Sequence, residues 1–290
     1  MVPPAGLKAL RGFPVAGVAS GRCLLMGILN VTPDSFSDGR QYLAPDDAVV
    51  HGLDLAAAGA DLVDVGGEST RPGAVRVTEQ EELRRVVPVI GALVASGVRV
   101  SIDTMRSRVA EAAVNAGATV VNDVSGGMAD PAMAATVAGL DVAYVAMHWR
   151  AHSRTMQQFA AYSDVVEEVR AELVQRMDVL TAAGVDPGRI VLDPGLGFAK
   201  EAPHNWALLR GLDRILDIGQ PVLIGASRKG FLGRLAHEAY GALPAPADRD
   251  GMTSAITALA ASGGATCVRV HDVRSSRDAV TVAAAWQPRP

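Results

Sequence analysis

GVRVSIDTMRSRVAEAAVNAGATVVNDVSGG, residues 97–127, reads as a strand, a helix and a second strand in one pass. The runs GVRVSIDT and ATVVNDVSGG are short, rich in β-branched residues, and apolar along their length rather than in alternation. That is the pattern of a strand covered on both faces, which a parallel sheet provides. Between them RSRVAEAAVNAG reads as a helix that stops at Gly117, as helices before short αβ loops prefer. Each run closes on polar residues, Asp103 in the first and Asn122 with Asp123 in the second.

The unit recurs along the chain. Similar runs are CLLMGILN, ADLVDVGG, DVAYVAMH, RIVLDPG, PVLIGAS and TCVRVHD, which makes eight. Eight helical stretches separate and follow them, the last three being HNWALLRGLDRILDIG, GMTSAITALAASGG and SSRDAVTVAAAW. Eight βα units in 290 residues predict an α/β fold, a single-domain (β/α)8 barrel, a fold that takes about 250 residues. An open doubly wound sheet is the alternative, but the nucleotide signatures it would carry are missing. GLGFAK lacks the third glycine of a dinucleotide loop, and no phosphate-binding Gly-x-x-x-x-Gly-Lys-Ser/Thr occurs. The expected division is a lead-in over residues 1–22 and a barrel domain over 23–290.

Composition narrows the function classes. Apolar residues make up 49% and charged residues 20%, a globular balance. A net charge of −4 argues against a general nucleic-acid or anionic-membrane surface. The two cysteines, Cys23 and Cys267, form no metal-binding cluster and read as packed strand residues. MVPPAGLKALRGFPVAG reads as a loose lead-in rather than a signal peptide, and no run reaches the roughly 20 apolar residues of a membrane span. The expected location is the cytoplasm.

In a barrel, strand C-terminal ends open into one mouth. Here those ends carry Asn30, Asp64, Glu68, Asp103, Asn122, Asp123, Met147, His148, Asp193, Ser227, Arg228, Lys229, Arg269 and His271. Helix capping explains one or two such residues, not a ring of them. Asp103, Asn122, Asp193 and Lys229 offer acceptors and one cationic donor, which suits a flat heterocycle with a donor-rich edge, such as a pterin or guanine. Asn30, Arg269 and His271 suit phosphate or pyrophosphate. Purely structural roles compete: Asp103 as a helix cap, Asp193 paired with Lys229, and the strand VRVHD ending in a salt bridge to Asp272. The loops NVTPDSFSDG and GGESTRPGAVRV fall where they would cover the mouth.

Seven motifs in order, GILNVTPDSFSDG, DVGGESTRPGA, SIDT, VNDVSGG, LDPGLGFAK, GASRK and VRVHDV, resemble the dihydropteroate synthases of folate biosynthesis, over about residues 24–286. The composition and MHWR are most similar to actinobacterial members. The resemblance implies a TIM barrel that condenses 6-hydroxymethyl-7,8-dihydropterin pyrophosphate with p-aminobenzoate, assisted by Mg2+, giving 7,8-dihydropteroate and pyrophosphate. It implies a pterin pocket of Asp103, Asn122, Asp193 and Lys229, lined by Met147 and Phe198. It implies a pyrophosphate site of Asn30, Arg71, Arg269 and His271, with Asn30 also a Mg2+ ligand. Phe36, Asp38, Thr70, Arg71 and Pro72 correspond to two mobile loops, residues 30–40 and 67–76, that shape the p-aminobenzoate site with Lys229 and Gly230. Asp38 and Arg71 join Asp103, Lys229, Arg269 and His271 as the implied catalytic set. Sulfonamides are the implied competing ligands, and a homodimer the implied assembly.

Gly230 departs from the family pattern, since many members carry a serine there that helps hold the p-aminobenzoate carboxylate. The first loop also reads DGR rather than DGG. Two other readings compete. A pterin-dependent methyltransferase domain would not need NVTPDSFSDG or ESTRPG, and a non-catalytic pterin-binding paralogue would be expected to have lost Arg71, Lys229 or Arg269. All three are present.

Overall fold

A computed structural model describes residue 13 and residues 22–32, 45–69 and 76–286. Each apolar run contains a strand: β1 (Leu24–Asn30), β2 (Leu62–Gly66), β3 (Val100–Asp103), β4 (Val120–Asp123), β5 (Ala143–Met147), β6 (Ile190–Asp193), β7 (Leu223–Ile224) and β8 (Cys267–Val270). β1 to β6 pair in parallel in sequence order, β7 pairs with β8, and β8 pairs with β1. The seam between β6 and β7 is closed by a bridge from Leu192 to Val222, with Leu192 N–H donating to the Pro221 carbonyl at 2.9 Å. The result is the single-domain (β/α)8 barrel that the sequence pattern predicts.

The helices α1 (Pro45–Ala58), α2 (Glu79–Ala95), α3 (Ser107–Asn115), α4 (Met133–Gly139) and α5 (Val165–Ala182) follow the first five strands in turn. Local chemistry sets their starts. Thr78 caps α2 by accepting from Glu81 N–H, and Asp164 caps α5 by accepting from Val166 and Glu167. Along α2, Val86, Val89, Ile90 and Leu93 form the buried stripe, at helical spacing.

The one-helix-per-strand expectation fails twice. The helix after β6 is broken into α6 (Ala202–Arg210) and α7 (Leu212–Leu216) at Gly211, where a Cβ would lie 3.0 Å from Val166. After β7 an extra helix, α8 (Gly230–Tyr240), precedes α9 (Asp250–Ser262); α10 (Val273–Trp286) follows β8. The stretch GFLGRLAHEAY hides its helicity behind Gly230 and Gly233, residues of low helix propensity. A Cβ at Gly233 would lie 2.8 Å from the Arg249 guanidinium, which would have to shift.

Strand parity sorts the side chains. Leu25, Leu29, Val63, Val65, Ile102 and Val121 belong to the large buried cluster shared with the helices. Leu24, Met26, Leu62, Val120, Ala143, Val145, Val191, Leu223 and Cys267 form a separate cluster, the barrel interior. Phe13, within the expected lead-in, is 4% exposed and belongs to that interior. Cys23 and Cys267 are buried as expected, and burial pushes the Cys23 thiol up to about 12. Among the described residues no helix is long and apolar enough to cross a membrane.

Candidate active site

The interior parity continues upward into polar residues. Register places Asn30 beside Gly66, Gly66 beside Asp103, and Asp103 beside Asn122. Gly66 has no side chain, so Asn30 and Asp103 approach over it: its Cβ would lie 3.6 Å from Asp103 Oδ2 and 3.7 Å from Asn30 Oδ1. One step lower in the barrel sits Asp64, fully buried.

Arg269 ties these layers together. Its Cα is level with Met26, deep in the barrel, and its side chain rises to the mouth. Nε donates to Asp64 Oδ2 at 2.6 Å and Nη2 to Asp103 Oδ2 at 2.7 Å. Asn122 Nδ2 donates to the same Asp64 oxygen at 2.9 Å. Burial works against the Arg269 charge, but Asp64 and Asp103 more than offset it and hold the guanidinium above its ordinary range. For Asp103 burial prevails: it is pushed up to about 7 against the pull of Arg269, with Asp64, Glu82 and Asp123 adding repulsion.

Asp193, at the end of β6, accepts from Gly195 N–H at 2.7 Å, and burial raises it above the usual carboxylate range despite Lys229. Burial also lowers Lys229 to about 8, with Asp193 opposing. Lys229 Nζ donates to the Leu196 carbonyl and lies 4.8 Å from the Phe198 ring centroid. Asp193 Oδ2 and Lys229 Nζ flank Gly225, within 3.8 and 3.9 Å of where its Cβ would be. Met147 is buried at the end of β5, against Gly195. At the other side, Ser227 Oγ lies 2.9 Å from His271 Nδ1 and accepts from His271 N–H at 3.1 Å, which sets the imidazole orientation.

Asp193 and Lys229 do attract each other, but the other two competing structural roles are not the ones observed. The α3 N-terminus is served by Asp130, which accepts from Ser107 N–H at 2.8 Å, while Asp103 takes Arg269. Asp272 accepts from Ser275 N–H, and Arg269 turns the other way, into the barrel. Asp123, also a strand-end residue, faces outward and holds its own turn through Ser125, Gly127 and Tyr144. Asp64 is the residue that sequence reasoning left unassigned. Its signal is parity, two positions after Leu62 and two before Gly66 on the inward face.

Phe36, Asp38, Thr70, Arg71 and Pro72 lie outside the described residues. The stem of the second loop is clamped by Glu68, whose carboxylate pairs with Arg76 at 3.0 Å and Arg106 at 2.9 Å. Gly230 opens α8 at the mouth, and among the described residues nothing lies within 4 Å of where its Cβ would be. The arrangement offers buried acceptors on one side, cationic donors around them, and a carboxylate between.

Known proteins share this fold and much of this sequence. Residues 26–271 match the family described as pterin binding enzyme. The chain is 58% identical over 263 residues to dihydropteroate synthase of Mycobacterium leprae (strain TN), covering 90% of this chain and 93% of that protein. It superposes with a TM-score of 0.86 on the dihydropteroate synthase of Xanthomonas albilineans solved with 4-aminobenzoic acid, at 45% identity, over 93% of this chain and 95% of that one. The Yersinia pestis dihydropteroate synthase solved with a sulfonamide drug complex gives 0.85 at 37% identity, over 92% and 94%.

Proposed function

The chain belongs to the dihydropteroate synthases, transferases of the pterin-binding enzyme family, and from that membership we propose how its barrel mouth joins 6-hydroxymethyl-7,8-dihydropterin pyrophosphate to p-aminobenzoate. The observation that carries the reading is Arg269, held by Asp64 and Asp103 between the acceptor side and the cationic side of one mouth.

The pterin lies on the acceptor side. A lactam edge presents a carbonyl next to an N–H, and Lys229 beside Asp193 presents the matching donor and acceptor. Asn122, its amide fixed by Asp64, reads the neighbouring ring atoms, and Phe198 and Met147 supply apolar contact. The pyrophosphate then reaches Arg269, Asn30 and His271, where positive charge and oriented donors favour its departure. As the C–O bond breaks, the electron pair leaves with pyrophosphate and the methylene becomes cation-like, with Asp103 close enough to stabilise it. The arylamine nitrogen forms the new C–N bond and releases its proton. No enzyme nucleophile is required.

Asn30 is the residue proposed to hold Mg2+. The site suits that ion: an amide oxygen beside Asp103, with a second carboxylate oxygen, Asp64 Oδ1, lacking a hydrogen-bond partner among the described residues. Mg2+ is commonly held by one or two protein oxygens plus substrate phosphates. Bound there, it would neutralise leaving-group charge. The loops 30–40 and 67–76 are proposed to close over the substrates, with Phe36, Asp38, Thr70, Arg71 and Pro72 completing the p-aminobenzoate end, where sulfonamides compete. A homodimer in the cytoplasm completes the reading; Leu259, Val282 and Trp286, exposed on the last two helices, offer apolar surface for it.

The test is direct: purified protein with both substrates and Mg2+ should yield dihydropteroate and pyrophosphate in equal amounts. Folded protein that makes neither sinks the proposal. Gly230→Ser gives a finer check of the arylamine end. With open space at that Cβ among the described residues, a hydroxyl added there should lower the KM for p-aminobenzoate about three- to tenfold, the worth of one hydrogen bond. Thermal stability should be unchanged, and a KM that rises would place the carboxylate elsewhere.

A further inference from the structure

The loop between β6 and α6 carries two groups that Lys229 uses, the Leu196 carbonyl and the Phe198 ring. It folds back over the mouth through left-handed backbone at Gly195, Gly197 and Ala199, the last a non-glycine residue at φ 49°. Backbone of that kind persists only where its surroundings hold it.

Two side chains hold it from beneath. Lys200 is 3% exposed and turns its ammonium under its own loop. Nζ donates to the Phe198 carbonyl at 3.0 Å and to His148 Nδ1 at 2.9 Å. With Nδ1 accepting, the ring proton sits on Nε2, which donates to Glu172 Oε2 at 2.8 Å. Arg150 pairs with the other Glu172 oxygen at 2.5 Å and stacks its guanidinium 3.9 Å over the Tyr162 ring. Tyr162 in turn donates its hydroxyl to the Ala199 carbonyl at 3.0 Å. Successive carbonyls of the loop, Phe198 and Ala199, are thus pinned by one connected column of side chains. Burying an ammonium is costly, and burial pulls Lys200 down to about 7 against the attraction of Asp193. An apolar side chain of the same length would fill the space. Only the amino group supplies the two directed bonds.

The geometry points to Lys200 as a positioning residue for pterin recognition: with Tyr162 it fixes the backbone of residues 196–199 so that Leu196 and Phe198 meet Lys229 and the bound heterocycle. This rests on the pterin reading of the site.

Calorimetric titration with 6-hydroxymethylpterin, alongside steady-state kinetics, tests it in the full chain. Lys200→Met should raise the pterin Kd about tenfold or more and Tyr162→Phe about threefold, while the p-aminobenzoate KM at saturating pterin pyrophosphate stays within about twofold of the parent. Pterin binding unchanged in both variants, with the parent still making dihydropteroate, overturns the role of Lys200 and leaves the enzyme assignment standing. Equal loss of both substrates also overturns it, since that marks general disruption. If Lys200→Met does not fold, Tyr162→Phe decides, because it removes only the hydroxyl bond to the Ala199 carbonyl and keeps the ring under Arg150 and the contacts of Lys200, His148 and Glu172. A parent that binds no pterin at all removes both readings together.

Discussion

Replacing Asp103 with asparagine should lower kcat by about 10²–10³, the range seen when one preorganised electrostatic contact to a developing charge is removed. Shape is preserved and the inner layer of the mouth stays in register, so the loss falls on chemistry. Stability should move differently. The folded-state value of Asp103, about 7, lies above the roughly 3.9 of an exposed aspartate. The fold therefore favours the neutral carboxyl, and the stability this gives is complete below about pH 4 and lost as pH rises through 7. Asparagine never ionises. Asp103→Asn should melt at or above the parent temperature at pH 8, with the gap narrowing toward pH 5. Turnover and melting temperature at both values check this, and unchanged turnover would remove Asp103 from the reaction.

Arg269→Gln should have the larger effect on the fold. It leaves Asp64 and Asp103, both buried, without their shared cation. Removing one partner of a buried ion pair costs about 3–5 kcal/mol. Without the guanidinium Asp103 would titrate still higher, so the deficit should be largest at pH 8 and shrink as pH falls toward 5 and it takes up a proton. Activity should fall as well, most steeply in kcat/KM for the pterin pyrophosphate, because the same guanidinium faces the leaving group. Urea unfolding midpoints at pH 5 and 8 provide the measurement. A deficit independent of pH would mean that Arg269 is not the counter-charge of this pair.

The barrel was legible because covered parallel strands leave uninterrupted apolar runs, and every one of the eight runs contains its strand. The ring of candidate residues was legible for the same reason, since the end of each run marks the mouth. Finer relations were not. Asp64 and Arg269 are 205 residues apart and meet only because β8 closes against β1. A sequence shows which face a residue takes, not how far a long side chain climbs from it. Grouping Arg269 with Asn30 and His271 was therefore incomplete, since in this structure it lies against both aspartates. The helix α8 was hidden by its glycines, and the Lys200 column by the fact that His148 and Tyr162, from the connection after β5, meet Lys200 only through the packing of the next loop, after β6. The resemblance named loop residues such as Asp38 and Arg71 that the described residues do not include.

The most direct test of the account is a crystal structure of the protein with a non-hydrolysable analogue of the pterin pyrophosphate. The account predicts the ring at the barrel mouth, its lactam edge against Asp193 and Lys229, its remaining edge against Asn122 and Asp103, and the diphosphate group toward Arg269, Asn30 and His271. A pterin bound outside the mouth, or bound with its diphosphate group turned toward Asp193, would contradict it.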